Sequence, residues 1–112
     1  METNPLAIRY YVAVNGKKPF PEWFETLRDN KAKAKIAIRL DRLRAGNFGD
    51  SKSVGDGVLE LRLDYGPGYR IYLGQDNETL IILLCGGDKS SQIKDITKAK
   101  DYWTDYRSQD HA

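Results

Sequence analysis

The stretch Val58 to Gly74, VLELRLDYGPGYRIYLG, constrains the fold more than any other part of the chain. Leu59, Leu61 and Leu63 alternate with Glu60, Arg62 and Asp64, and past the turn Ile71 and Leu73 alternate with Arg70 and Tyr72. Such alternation puts each set on one face of a strand. The two runs meet at Gly66-Pro67-Gly68, so they read as the arms of an antiparallel hairpin. A one-residue slip would turn every apolar side chain to the wrong face. The pattern therefore predicts Leu63 opposite Ile71 and Leu61 opposite Leu73, joined by a three-residue GPG connection. Arg62 then lies beside Tyr72, and Asp64 beside Arg70, on the polar face.

The flanking segments supply partners for this hairpin. Leu6 to Val14, rich in Ile, Val and Tyr, reads as a first strand stopped by Asn15-Gly16. Pro19 and Pro21 suit the start of a short helix with Trp23, Phe24 and Leu27 on its apolar side, ending near Asp29-Asn30. From Lys31 a second helix places Ile36, Leu40 and Leu43 on one face and stops at Gly46. Asn47 to Gly57 shows no periodicity and reads as a loop with Lys52 in its middle. Residues 79–85, TLIILLC, form the most apolar run and predict a strand buried on both faces, ending at Gly86-Gly87-Asp88-Lys89. Ser90 or Ser91 then caps a last helix whose inner face is traced by Ile93, Ile96, Ala99 or Lys100, Trp103 and Tyr106. The tail SQDHA reads as frayed. The expected fold is α+β: N-terminal strand, helical hairpin, three-strand antiparallel meander, C-terminal helix. Helices cover the leucine face of the sheet, and the opposite face is left open.

At 112 residues, positions 1–112 make one domain with one core. Lys+Arg number 18 against 16 Asp+Glu, a net charge of +2, so affinity for a polyanion has to come from local clustering. Arg28, Lys31, Lys33, Lys35, Arg39, Arg42 and Arg44 provide such a cluster, which is either a solvated helix face or a contact for nucleic acid. Cys85 stands alone in an apolar run, so no disulfide and no cysteine metal site is expected, and a reducing cytoplasm is. No positively charged leader opens the chain and no run is long enough to cross a bilayer, so no membrane association is expected. The single histidine, His111, sits beside the C-terminus, which argues against metal chemistry and against a histidine-activated nucleophile. No cofactor is expected.

The polar sheet face remains. Arginine offers a planar fork of donors and a permanent charge, suited to a phosphodiester passing through a five-coordinate transition state. Aromatic rings beside it can stack on an unpaired base. Arg62, Arg70 and Tyr72, with Lys89 brought in from the end of the apolar strand, would make a compact RNA site. The bland alternative is a face of surface ion pairs, Asp64 with Arg70 and Glu60 with Arg62, each worth under about 1 kcal/mol. Pattern alone leaves the two level.

The pattern GxxELRxxxGPGYRxY, formed by Gly57, Glu60, Leu61, Arg62, Gly66, Pro67, Gly68, Tyr69, Arg70 and Tyr72, is followed by LLxGGDKxxQxxDIxxA from Leu83 to Ala99. Together with FPEWFETL in the helical hairpin, these motifs resemble the addiction-module killer protein branch of the RelE/ParE-like (HigB-related) toxins. The resemblance implies the small α+β toxin fold and a cognate helix-turn-helix antitoxin encoded beside the toxin. Operator DNA is a further expected partner of the toxin-antitoxin complex, reached through the antitoxin. For many RelE-like members it also implies metal-independent endoribonuclease activity on messenger RNA bound to the ribosome. There the RNA's own 2′-hydroxyl attacks the adjacent phosphate while basic side chains orient it and steady its charge. Arg62 matches a basic position of that site, whereas Lys52 and Lys89 match basic regions. The expected catalytic set is Arg62, Arg70 and Lys89, with Lys52, Tyr72, Arg39 and Arg42 as RNA contacts. This chain departs from the pattern in having no histidine near the site, and Tyr102 and Tyr106 are its candidates for a tyrosine at the C-terminal edge. Lys89 can act as a base only where burial or the charges of Arg62 and Arg70 lower its pKa. The same scaffold also hosts ParE-like inhibitors of DNA gyrase without nuclease activity, and a non-toxic remnant that only binds antitoxin is a third reading.

Overall fold

The computed structural model describes residues 5–109. The last three residues of the tail, His111 among them, lie outside the described residues. In chain order the elements are β1 (Ala7–Tyr10), α1 (Pro19–Thr26), α2 (Asn30–Arg44), β2 (Ser51–Gly55), β3 (Val58–Leu63), β4 (Tyr69–Asn77) and β5 (Leu80–Asp88). A single 3-10 turn, Lys89–Ser91, leads into α3 (Gln92–Ser108). The fold is α+β, as the patterning predicts.

The sheet has five strands in the order β1-β5-β4-β3-β2, and β1 runs parallel to β5 while all other neighbours are antiparallel. The meander thus has four strands, not three, because Ser51–Gly55 is a strand and not a loop. It escapes pattern reading because an edge strand needs only backbone pairing on one side. Its residues SKSVG bury little, with Val54 alone packing on the core, and Gly55, Asp56 and Gly57 at φ 94°, 56° and 83° form the turn into β3. Lys52 therefore sits on β2, opposite Glu60.

The hairpin register is shifted by two residues from the expected one. Leu61 pairs with Ile71, Leu63 with Tyr69 and Arg62 with Arg70, so the connection is the five residues 64–68. A shift of two preserves which face each side chain occupies, and for that reason alternation could not exclude it. Gly66 and Gly68, at φ 56° and 80°, provide the left-handed positions that the wider turn requires.

One face of the sheet is covered as expected. Leu61, Leu63, Ile71, Leu73, Ile81 and Leu83 pack beneath α1 and α2 against Phe20, Ile36, Leu40 and Leu43. Each such side chain contributes about 1.5–3 kcal/mol of burial. Asp29 starts α2 by accepting from the backbone N–H of Lys31 and Ala32.

The opposite face is not open. Helix α3 lies across it, forming a second core of Val58, Tyr72, Ile82, Leu84, Ala99, Trp103 and Tyr106. Glu60 is 1% exposed and Tyr72 fully buried, although both occupy the polar phase of the alternation. On α3 the expected Ile93 is 85% exposed while Asp95 is buried. Asp95 can turn inward because it lies over Gly87, where there is no side chain, and because the Ser91 hydroxyl donates to its carboxylate. Ser91 does occupy the N-cap position of α3, but its side chain makes no capping hydrogen bond there; the capping bond is one turn earlier, where the Asp88 side chain starts the 3-10 turn by accepting from the Ser90 N–H at 2.8 Å. Strand β5 does run between two neighbours and is buried on both faces, as its composition predicts. No helix among the described residues is long and apolar enough to cross a membrane.

Candidate functional site

Arg62 is the last residue but one of β3 and Arg70 the second of β4, so the register puts two arginines directly opposite each other on the α3 face. That face is uncovered at this point because α3 begins only at Gln92. The Lys89 N–H donates to the Pro67 carbonyl at 3.4 Å, drawing the turn before α3 against the GPG loop. Arg62, Arg70 and Lys89 consequently line one open cleft of about 490 Å³, together with Asp50, Asp64 and the GPG turn. The structure therefore gathers all three residues of the expected catalytic set.

The two arginines differ in how their donors are used. Arg62 sends Nε and Nη2 to one oxygen of Asp50, at 3.2 and 2.8 Å. Both members of that pair are substantially exposed, so it is worth at most about 1 kcal/mol. Arg70 has no side-chain hydrogen bond and no ion pair among the described residues, and its Nε is buried without an acceptor. A buried guanidinium N–H left unpaired is costly, and the terminal donors of the same guanidinium, which have no partner among the described residues either, are the ones an oxyanion in the cleft would meet. Lys89 is exposed.

A second hollow, about 400 Å³, adjoins the cleft and shares Asp50, Arg62, Leu63 and Asp64 with it. Lys35, Arg39 and Arg42 of α2 contribute its basic side. Arg39 has an architectural task. Its Nη1 donates to the Arg62 carbonyl at 2.7 Å, and its Nη2 to the carbonyls of Phe48 and Asp50 at 2.9 and 2.7 Å. Burial lowers its pKa from the usual arginine value and Arg42 adds to that, while Asp50 opposes it. Arg39→Ala would take a donor from the carbonyls of Phe48 and Arg62, while that of Asp50 keeps the Arg62 N–H at 2.9 Å, and we expect about 2 kcal/mol of lost stability in urea unfolding. Of the two α2 arginines that line this hollow, Arg42 is the one whose donors have no partner among the described residues and are available for a ligand.

The remaining expected contacts are elsewhere. Tyr72 donates from its hydroxyl to Glu60 Oε2 at 2.9 Å, and the same oxygen accepts from Gln92 Nε2 at 2.9 Å. Burial, reinforced by the Glu60 carboxylate, raises the Tyr72 pKa, and the fully buried ring cannot stack on a base. Its task is to fasten α3 to the sheet. Lys52 is exposed on β2 and lines neither hollow. Tyr102 stacks on Tyr11 with centroids 5.0 Å apart, and Tyr106 stacks on Trp103 at 5.3 Å. Tyr106 also donates to Asp76 at 2.8 Å, and burial pushes its pKa up to about 12. Both tyrosines belong to the core around α3. The Cys85 thiol is buried and pushed up to about 12, first by burial and then by Asp95, which makes it a poor nucleophile.

One residue of the cleft and one of the adjoining hollow escape the sequence reading: Asp50 falls in the stretch read as a loop, and Tyr65 between the alternating run ending at Asp64 and the GPG turn. The aromatic flank of the GPG turn, DYGPGY, was the available signal for Tyr65.

The chain is 59% identical over 81 residues to an uncharacterized protein of Haemophilus influenzae, a match covering 72% of this chain and 82% of that protein. No protein-family model matches the chain, and no solved structure matches it.

Proposed function

We propose that this chain, which belongs to one family with the uncharacterized Haemophilus influenzae protein, is the toxin of a type II toxin-antitoxin system. In this reading it has the RelE/ParE-like (HigB-related) fold and cleaves messenger RNA on the ribosome without a metal. The observation that carries it is Arg70: a guanidinium with no partner among the described residues, opposite Arg62 and beside Lys89 in one open cleft. Two motifs that lie apart in sequence supply those residues: ELRxxxGPGYR carries Arg62 and Arg70, and GGDK carries Lys89.

The chemistry follows from charge. The 2′-hydroxyl gives its proton to water as its oxygen bonds to phosphorus, negative charge accumulates on the non-bridging oxygens, and the bond to the 5′-oxygen breaks as that oxygen takes a proton from water. Arg70 meets that charge with an unoccupied fork of donors, and Arg62 joins it once its hold on Asp50 loosens. Lys89, at the rim, neutralises the leaving 5′-oxygen. Orientation and electrostatics thus carry the rate, with the ribosome aligning the message. A cognate helix-turn-helix antitoxin neutralises the toxin by covering this cleft or by displacing α3, whose leading turn carries Lys89. The site works in the cytoplasm, where messages are translated.

Primer extension on translated messages after brief induction, native chain beside Arg62→Ala, tests this reading. Cuts that vanish in the variant support it. Equal cuts from both chains would remove Arg62 from the site, and intact messages with an induced DNA-damage response would point to gyrase instead. Asp50→Asn gives a second test. Removing that carboxylate frees Arg62 and deletes a negative charge from the cleft. Affinity for a non-cleavable dinucleotide should rise about fivefold at low salt, the equivalent of ~1 kcal/mol for an exposed ion pair, and the gain should shrink as salt screens it.

A further inference from the structure

We infer that the cleft and the adjoining hollow form one track for single-stranded RNA, with Tyr65 as the platform for a base next to the scissile phosphate. This rests on the ribonuclease reading of the cleft and extends it from one phosphate to the flanking strand.

The two hollows share Asp50, Arg62, Leu63 and Asp64, so a strand with its phosphate at Arg70 continues directly toward α2. What it meets there is mixed in character. Lys35 and Arg42 supply exposed positive charge, and Tyr65 and Ile38 supply apolar surface. Ile38 is 51% exposed in the middle of a basic helix face. A basic groove with flat apolar surface beside it is the arrangement that binds single strands, the cations following the phosphates and the aromatic ring taking a base.

Tyr65 is held ready for that task. Its hydroxyl donates to Asp29 Oδ2 at 2.8 Å, its N–H to the Leu63 carbonyl at 2.9 Å, and its carbonyl accepts from the Gly68 N–H at 3.1 Å. The ring is thus fixed between the start of α2 and the GPG turn. Lys35 Nζ lies over the ring, 5.0 Å from its centroid, so a base taking that face displaces the flexible lysine, whose charge then turns to the adjoining phosphate. Tyr72, the aromatic residue expected from the sequence to stack on a base, is sealed under α3. Tyr65 is the aromatic side chain that the hollow presents.

The test compares fluorescence anisotropy of the full chain with 2′-O-methyl oligoadenylates of two and seven residues, which cannot be cleaved through the 2′-oxygen. The heptamer should bind at least about tenfold tighter than the dimer. Tyr65→Leu should cut that advantage by about tenfold, and Tyr65→Phe, which keeps the ring, should restore it. Lys35→Ala and Arg42→Ala, surface changes that keep the fold testable if Tyr65→Leu unfolds, should each flatten the salt dependence of log affinity by about 0.7. Equal binding of dimer and heptamer overturns the track. So does a heptamer indifferent to Tyr65→Leu, Lys35→Ala and Arg42→Ala while Arg70→Ala abolishes binding of both, a result that leaves the cleft reading standing. Displacement of the heptamer by oligoglutamate of equal charge also overturns it, since binding is then charge alone. If Arg70→Ala changes neither ligand, the cleft reading fails and the track with it.

Discussion

Arg70→Ala is expected to slow message cleavage by about 100- to 1,000-fold, the usual loss when a preorganised donor to a developing oxyanion is removed, while leaving the chain at least as resistant to urea as before. Two opposite effects meet at this position. In the free protein the guanidinium is a liability: its Nε is buried without a partner, and Arg62 carries a like charge directly across the strand pair. Alanine removes both costs. In the transition state the same guanidinium finds its acceptor, so the variant loses only what is gained there. A residue kept for packing would show the reverse, less stability and unchanged cleavage. Arg70→Lys separates charge from geometry. It keeps the positive charge but loses the two-pronged fork, and its rate should fall between the native chain and Arg70→Ala. The measurement is single-turnover cleavage on programmed ribosomes beside a urea melt. Native-like cutting by Arg70→Ala, or a melt shifted to lower urea, would refute the role assigned here.

The residues that met in the cleft were legible because alternation fixes faces regardless of register. Arg62 and Arg70 share a face in the predicted register and in the observed one, two residues apart from it. What alternation cannot reveal is what lies on that face. The motif QxxDI carries Gln92 and Asp95, which the apolar face traced along the helix leaves out, yet Gln92 ties α3 to Glu60 and Asp95 packs over Gly87. A polar phase on a strand can be polar because a second layer hydrogen-bonds to it, as Tyr72, Glu60 and Gln92 do here. Strand β2 was illegible for a different reason. An edge strand held by backbone pairing and by the Arg39 guanidinium needs no apolar period of its own.

The paired glycines of GGDK give the largest expected change in stability, and their role bears on how the motif is read. Gly86 lies against the Trp23 ring from α1 on one face of β5, and Gly87 against the Asp95 carboxylate from α3 on the other. Where the helices press in from both sides, the strand has no side chains. A methyl group at Gly87 would occupy the position of the Asp95 carboxylate. Asp95 cannot retreat freely, since it accepts from the Ser91 hydroxyl, and the Ser91 oxygen also accepts from the Asp88 N–H at 3.3 Å. Displacing it loosens the cap of the 3-10 turn that carries Lys89. Gly87→Ala should therefore cost about 2–4 kcal/mol, in the range of overpacking joined to the loss of a buried hydrogen bond. Asp95→Ala should cost less on its own. Combined with Gly87→Ala it should recover about 1–3 kcal/mol relative to the sum of the single changes, because the two groups compete for one space. Were the glycines instead a cradle for phosphate, Gly87→Ala would weaken RNA binding at unchanged stability, and Asp95→Ala would rescue nothing. Urea melts of the four chains decide between these outcomes. If Gly87→Ala alone fails to fold, a soluble and cooperatively unfolding double variant carries the same answer.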